Sequence, residues 1–78
     1  MWEREAKITD AELEVMEVLW QGGDLTLAQV KEGVTARKGW SGDTVKTLLR
    51  RGLEKGALGQ EKRGVYHYRP LVSREELG

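Results

Sequence analysis

The sequence predicts a small α+β domain, mostly α, built from three helices and one antiparallel β-hairpin. Three observations predict it. Thr9, Thr26 and Ser41 each stand as a capping residue ahead of an apolar stripe at helical spacing, and glycines at 22–23, 39 and 56 stand where those stripes stop. From Ala57 onward the period changes, with Leu58, Tyr66 and Tyr68 set among polar residues around a glycine.

The first helix opens at Ile8-Thr9-Asp10-Ala11-Glu12-Leu13. Thr9 is its N-cap, Glu12 closes a capping box, and Ile8 and Leu13 are placed as a hydrophobic staple. Leu13, Met16, Leu19 and Trp20, with Val15 beside them, form the core stripe; Glu12, Glu14 and Glu17 point elsewhere, and Glu14 and Glu17 read as a solvated face. Thr26-Leu27-Ala28-Gln29 repeats the capping-box pattern for a second helix with Leu27, Val30 and Val34 inward, and Leu25 is a candidate for one short strand. Gly33 in that helix costs about 1 kcal/mol relative to Ala, with no reason visible in the sequence.

Ser41 caps the third helix, and Asp43 in its first turn suits the positive end of the helix dipole. Residues at 100° intervals place Val45, Leu48, Leu49 and Gly52 on one face with Leu53 at its edge. Asp43, Thr47 and Arg50 lie opposite, flanked by Lys46 and Arg51. Gly52 leaves a gap in the apolar stripe. For the hairpin, a loop of Lys62-Arg63-Gly64 puts Leu58 and Gln60 on one face with Tyr66 and Tyr68, and carries Lys62 and Arg63 into solvent. Pro70 ends the strand, and Ser73-Arg74-Glu75-Glu76 starts another helix close to the end of the sequence. That start predicts a division into an N-terminal arm (1–7), the folded domain (8–71) and the beginning of a helix (72–78) leading to a further domain.

Seventy-eight residues suit one domain, because so short a chain buries only about 60% of its unfolded surface. A 38% apolar and 33% charged composition with three Trp and two Tyr belongs to a folded chain. Without cysteine the chain has neither a disulfide framework nor a thiolate metal site, which fits a reducing, cytoplasmic setting. No apolar run is long enough to span a bilayer, and MWEREAKITD is too charged for a signal peptide.

The zero net charge hides an asymmetry. Residues 1–32 hold eight acids against three bases, a balance of −5, and residues 33–78 hold ten bases against five acids, a balance of +5. Such a dipolar domain has a basic side, the electrostatic footprint of a phosphate-bearing partner.

Three helices followed by a hairpin, with a short glycine-containing turn between the second and third, is the order of a winged helix-turn-helix. In that fold the third helix presents its polar face outward. Asp43, Lys46, Thr47, Arg50 and Arg51 are then the candidate contacts to double-stranded DNA, with Lys62 and Arg63 on the wing. Arg and Lys donate to guanine edges or phosphates, Thr bonds or places a methyl against thymine, and Ser41 with the free N–H groups of the helix start suits a phosphate. Asp43 is unfavourable near the backbone unless it accepts from a cytosine amino group.

ITDAELEVMEVLW (8–20), LTLAQVKEGV (25–34), WSGDTVKTLLRRGLEKGAL (40–58) and YHYRPLVSREE (66–76) together resemble the penicillinase-repressor family of BlaI and MecI type, which includes copper-responsive repressors. The resemblance implies an N-terminal winged helix that binds an operator dyad, and a C-terminal domain, missing here, that makes the full-length protein a homodimer. It leaves this fragment monomeric or weakly self-associating. It maps DNA contacts onto Ser41, Thr44, Lys46, Thr47, Arg50, Arg51, Lys62 and Arg63. Gly42 and Gly52 stand where the family pattern carries bulkier residues, and the hairpin tip is about a residue short.

An enzyme is disfavoured. The one histidine, His67, sits in a strand between two tyrosines with no nucleophile partner, and the glycines form no phosphate loop. No cofactor and no metal site is expected. The alternative is a winged-helix protein-interaction module whose basic face meets an acidic partner. Trp20 and Trp40 read as packing residues, and Trp2 precedes the predicted elements.

Overall fold

The computed structural model describes residues 8–77. Trp2 and the rest of the predicted arm lie outside them. In chain order the elements are α1 (Asp10–Gly22), β1 (Leu25–Thr26), α2 (Leu27–Lys38), α3 (Gly42–Lys55), β2 (Leu58–Arg63), β3 (Val65–Pro70) and α4 (Arg74–Leu77).

The helix starts are made as the local chemistry requires. Thr9 Oγ1 accepts from Glu12 N while Thr9 N donates to Glu12 Oε1, and Thr26 and Gln29 form the same reciprocal pair. Ser41 Oγ accepts from Thr44 N at 3.3 Å. Gly39 and Gly56, both left-handed, end α2 and α3. Thr35 Oγ1 donates to the carbonyl of Trp40, whose half-buried side chain packs on the core and fixes the turn into α3.

The core is the meeting of three stripes. Val15, Met16 and Leu19 of α1, Val30 and Val34 of α2, and Val45, Leu48 and Leu49 of α3 are closed below by Ala57, Leu58, Tyr68 and Val72. Leu13 and Trp20, expected in the stripe, sit half-buried at its margin, and Val18 is buried in addition. Val18 explains Gly33: a Cβ on Gly33 would stand 2.9 Å from Val18 Cγ1, so the glycine lets α1 and α2 approach. Gly52 has the same explanation. Leu58, arriving from β2, fills the gap in the α3 stripe, and its Cδ2 would lie 2.6 Å from a Cβ on Gly52.

The acids of α1 depart from expectation. Glu12 is buried at 2% exposure, and its Oε1 lies 2.6 Å from Lys55 Nζ, a cation brought in from the end of α3. Glu14 bonds Arg37 and lies 3.8 Å from Lys38, and Glu17 bonds Arg74. Glu14 and Glu17 are therefore half-buried and paired, not a solvated face, because helices α2 and α4 close over them.

Leu25–Thr26 does form a strand, and it joins the hairpin in a three-stranded antiparallel sheet ordered β1-β3-β2. The register corrects the expected loop. Glu61 pairs with His67, Lys62 with Tyr66 and Arg63 with Val65, so the turn centres on Gly64 (φ 77°) and the pairing shifts by two residues. An even shift preserves the faces: Leu58, Gln60, Tyr66 and Tyr68 share one side as expected. It also puts the adjacent Lys62 and Arg63 on opposite sides of the wing.

Candidate nucleic-acid interface

Burying Val45, Leu48, Leu49 and Gly52 leaves the other side of α3 in solvent. Asp43, Lys46, Thr47 and Arg50 line a groove of about 490 Å³, whose floor and far wall come from Leu27, Leu53, Gln60 and Tyr68. Gln60 Nε2 donates to Tyr68 Oη at 3.0 Å, which ties the sheet wall together. Thr47 Oγ1 donates back to the Asp43 carbonyl at 3.1 Å, so its methyl and its acceptor lone pairs remain for a partner. Ser41 and Thr44 are exposed at the helix start, 3.1 Å apart through their hydroxyls. Arg51 is exposed outside the groove.

A second hollow of about 500 Å³ adjoins the first at Leu27 and runs between the start of α2 and the wing; it holds Lys31, Lys62, Val65 and Tyr66. Lys62 Nζ lies 5.7 Å from the centre of the Tyr66 ring. Lys31 and Gln60 were not among the sequence-derived candidates. Gln60 carried a signal in its register with the tyrosines. Lys31 did not, since its Cε stands 2.7 Å from where a Cβ on Gly42 would be, a proximity created only by packing.

Arg37 pairs with Glu14, which Lys38 approaches at 3.8 Å, Lys55 pairs with Glu12, and Arg74 with Glu17. Arg63 bonds Asp24 and also lies 3.4 Å from Glu61, on the side of the sheet facing away from Lys62. Lys46, Arg50, Arg51 and Lys62, all exposed, form no ion pair among the described residues. Four of the uncompensated cations thus sit on the outward face of α3 and the neighbouring wing face, with Lys31 beside them on α2 and Arg69 on the opposite face of the sheet, while Arg63, expected beside Lys62, is held apart.

Buried Glu12 has a carboxyl displaced from its ordinary acidity. Burial pushes its carboxyl up, but the hydrogen bonds from Lys55 and from Thr9 N, with the Lys55 charge, outweigh burial and hold it below its ordinary value of 4.5. Glu12 Oε2 is buried without a hydrogen-bond partner among the described residues. Among the described residues no helix is long and apolar enough to cross a membrane.

Three helices with an outward basic third helix, backed by a small sheet whose hairpin projects as a wing, define a winged helix-turn-helix protein. The chain belongs to the penicillinase repressor family, whose model matches residues 8–78. It is 37% identical over 71 residues to the penicillinase repressor of Bacillus licheniformis, covering 90% of this chain and 56% of that protein. It therefore spans little more than half the length of that relative. The solution structure of the DNA-binding domain of the repressor BlaI superposes with a TM-score of 0.83 at 35% identity, over 95% of this chain and 92% of that one. The monomeric form of Bacillus licheniformis BlaI in complex with the blaP half-operator superposes at 0.78 with 37% identity, over 90% of this chain and 87% of that one.

Proposed function

We propose that this chain is the sequence-specific DNA-binding domain of a transcriptional repressor, with α3 in the major groove of an operator half-site and the Lys62 face of the wing on the flanking backbone. The observation that carries the reading is the distribution of unpaired charge. Acids of α1 absorb the cations at the ends of α2 and α3, and none is placed against Lys46, Arg50, Arg51 or Lys62. A surface left basic on one side attracts a phosphate backbone, and the α3 groove offers Lys46, Thr47 and Arg50 to base edges. Family membership and the likeness to a repressor solved on its half-operator support the same reading.

Ser41 and Thr44 at the α3 start take a phosphate, Asp43 accepts from a cytosine amino group, and Arg51 meets the backbone beside the groove. The whole protein is a cytoplasmic homodimer on an operator dyad: residues 8–71 are its DNA-binding unit, 1–7 its arm, and 72–78 the start of the path to a dimerising domain. A single half-site then binds weakly, with a dissociation constant on the order of micromolar.

Titration with duplex DNA at two salt concentrations tests the proposal. Arg51 and Lys62, the two cations placed on the backbone, give a slope of log affinity against log salt of about −2. A flat dependence, or no binding at low salt, would refute it and favour an acidic protein partner.

A further inference from the structure

We propose that Asp24 holds the wing arginine Arg63 away from DNA and thereby limits how tightly the domain grips any duplex. Asp24 lies in the turn between α1 and β1, and its Oδ2 accepts from the Arg63 guanidinium at the hairpin tip. Glu61 Oε1 takes Arg63 Nε at 3.4 Å, and Asp24 Oδ1 faces His67 Nδ1 at 3.3 Å. Two carboxylates thus flank one guanidinium on the side of the sheet facing away from Lys62.

Arg63 and Asp24 keep 47% and 43% of their side-chain surface exposed, so the guanidinium can exchange partners without the domain unfolding. The two non-bridging oxygens of a phosphodiester accept a guanidinium in the same two-bonded way as a carboxylate. Exposed pairs of this kind are weak, so the removal of one charge is enough to decide which partner Arg63 takes. The inference rests on the reading that the wing meets the DNA backbone.

The test measures affinity for a random-sequence duplex, and its salt slope, in the wild type, Asp24→Asn, Arg63→Ala and the double variant, with melting curves to verify folding. Asp24→Asn is expected to bind about 5–10-fold tighter at 0.1 M salt with a slope steeper by about one, as one further phosphate contact requires. Arg63→Ala should match the wild type within about twofold, and the double variant should lose the gain. If the gain survives in the double variant, or Asp24→Asn binds no tighter while Arg63→Ala weakens binding, Asp24 does not restrain Arg63. If Lys62→Ala, Asp24→Asn and Arg63→Ala all leave binding unchanged while Arg50→Ala weakens it, the wing does not touch DNA and the underlying reading fails instead.

Discussion

Gly52 and Leu58 occupy one site in the core: Leu58 Cδ2 lies 2.6 Å, and Cγ 3.1 Å, from where a Cβ on Gly52 would be. The recognition helix therefore gives up one apolar side chain so that the first residue of the wing strand can pack into its inner face. This couples the orientation of α3 to that of the wing, the two parts of the proposed interface. Gly33 does the same for α1 and α2 through Val18.

Two effects oppose each other in Gly52→Ala. Alanine is the better helix former by about 1 kcal/mol, while forcing a methyl into a filled core costs about 1–3 kcal/mol. Leu58 is 2% exposed and has no room to retreat, so the steric effect wins. A net loss of about 1 kcal/mol is expected, a fall in melting temperature of roughly 4–8 °C for a domain this small. Leu58→Val in the same chain should recover part of it, and a thermal-melt double-mutant cycle checks the coupling.

How much of this was legible follows the range of each interaction. Caps and stripes are local, so the three helices and the outward set Asp43, Lys46, Thr47 and Arg50 could be read from spacing alone. The faces of the hairpin were legible because Leu58 and Tyr68 must both be buried, but the turn residue was not, since an even shift in register leaves those faces unchanged. Long-range pairing was hidden altogether. Glu12 finds Lys55 across 43 positions and Asp24 finds Arg63 across 39, so neither the burial of the first nor the neutralised charge of the second could be inferred from neighbours in the chain.

The Glu12–Lys55 pair makes stability depend on acid. The folded carboxyl is held below its ordinary 4.5, so the pair contributes fully above that pH and its contribution is lost as pH falls through the folded value. Melting of the wild type and Glu12→Gln between pH 7 and pH 3 should show the wild type ahead by roughly 1–2 kcal/mol at neutral pH, with the gap closing below about pH 4.5. A gap independent of pH would mean that the charge on Glu12 contributes nothing. Lys55→Met should cost more than Glu12→Gln at pH 7, because it leaves a carboxylate buried without its cation.

Arg50 and Arg51 are neighbours in the chain with different surroundings, and the proposed function assigns them different losses. Arg50 lines the α3 groove, so Arg50→Ala should reduce discrimination between operator and random duplex by about 1–3 kcal/mol. Arg51 is exposed outside the groove, so Arg51→Ala should weaken both about equally and make the salt slope shallower by about one. Competition binding against random DNA separates the two, and equal loss of specificity in both would contradict the placement of α3.

Trp20 anchors the chain as it leaves the sheet. Its Nε1 donates to the Val72 carbonyl at 2.9 Å, and Arg74, bonded to Glu17 at 2.6 Å, lies with its guanidinium 5.0 Å from the centre of the indole. Val72 is 5% exposed, so the carbonyl has little access to water if its donor is removed. Trp20→Phe keeps most of the packing but orphans that carbonyl, and a loss of about 1–3 kcal/mol is expected. Arg74→Ala removes only an exposed cation over a ring and a surface pair, worth about 0.5–1 kcal/mol, but it uncovers the indole. Its signature should therefore be a change in tryptophan emission and faster amide exchange over residues 71–74 at nearly unchanged melting temperature. If exchange there stays as slow as in the wild type, the Trp20 hydrogen bond alone fixes the exit of the chain and Arg74 contributes no restraint.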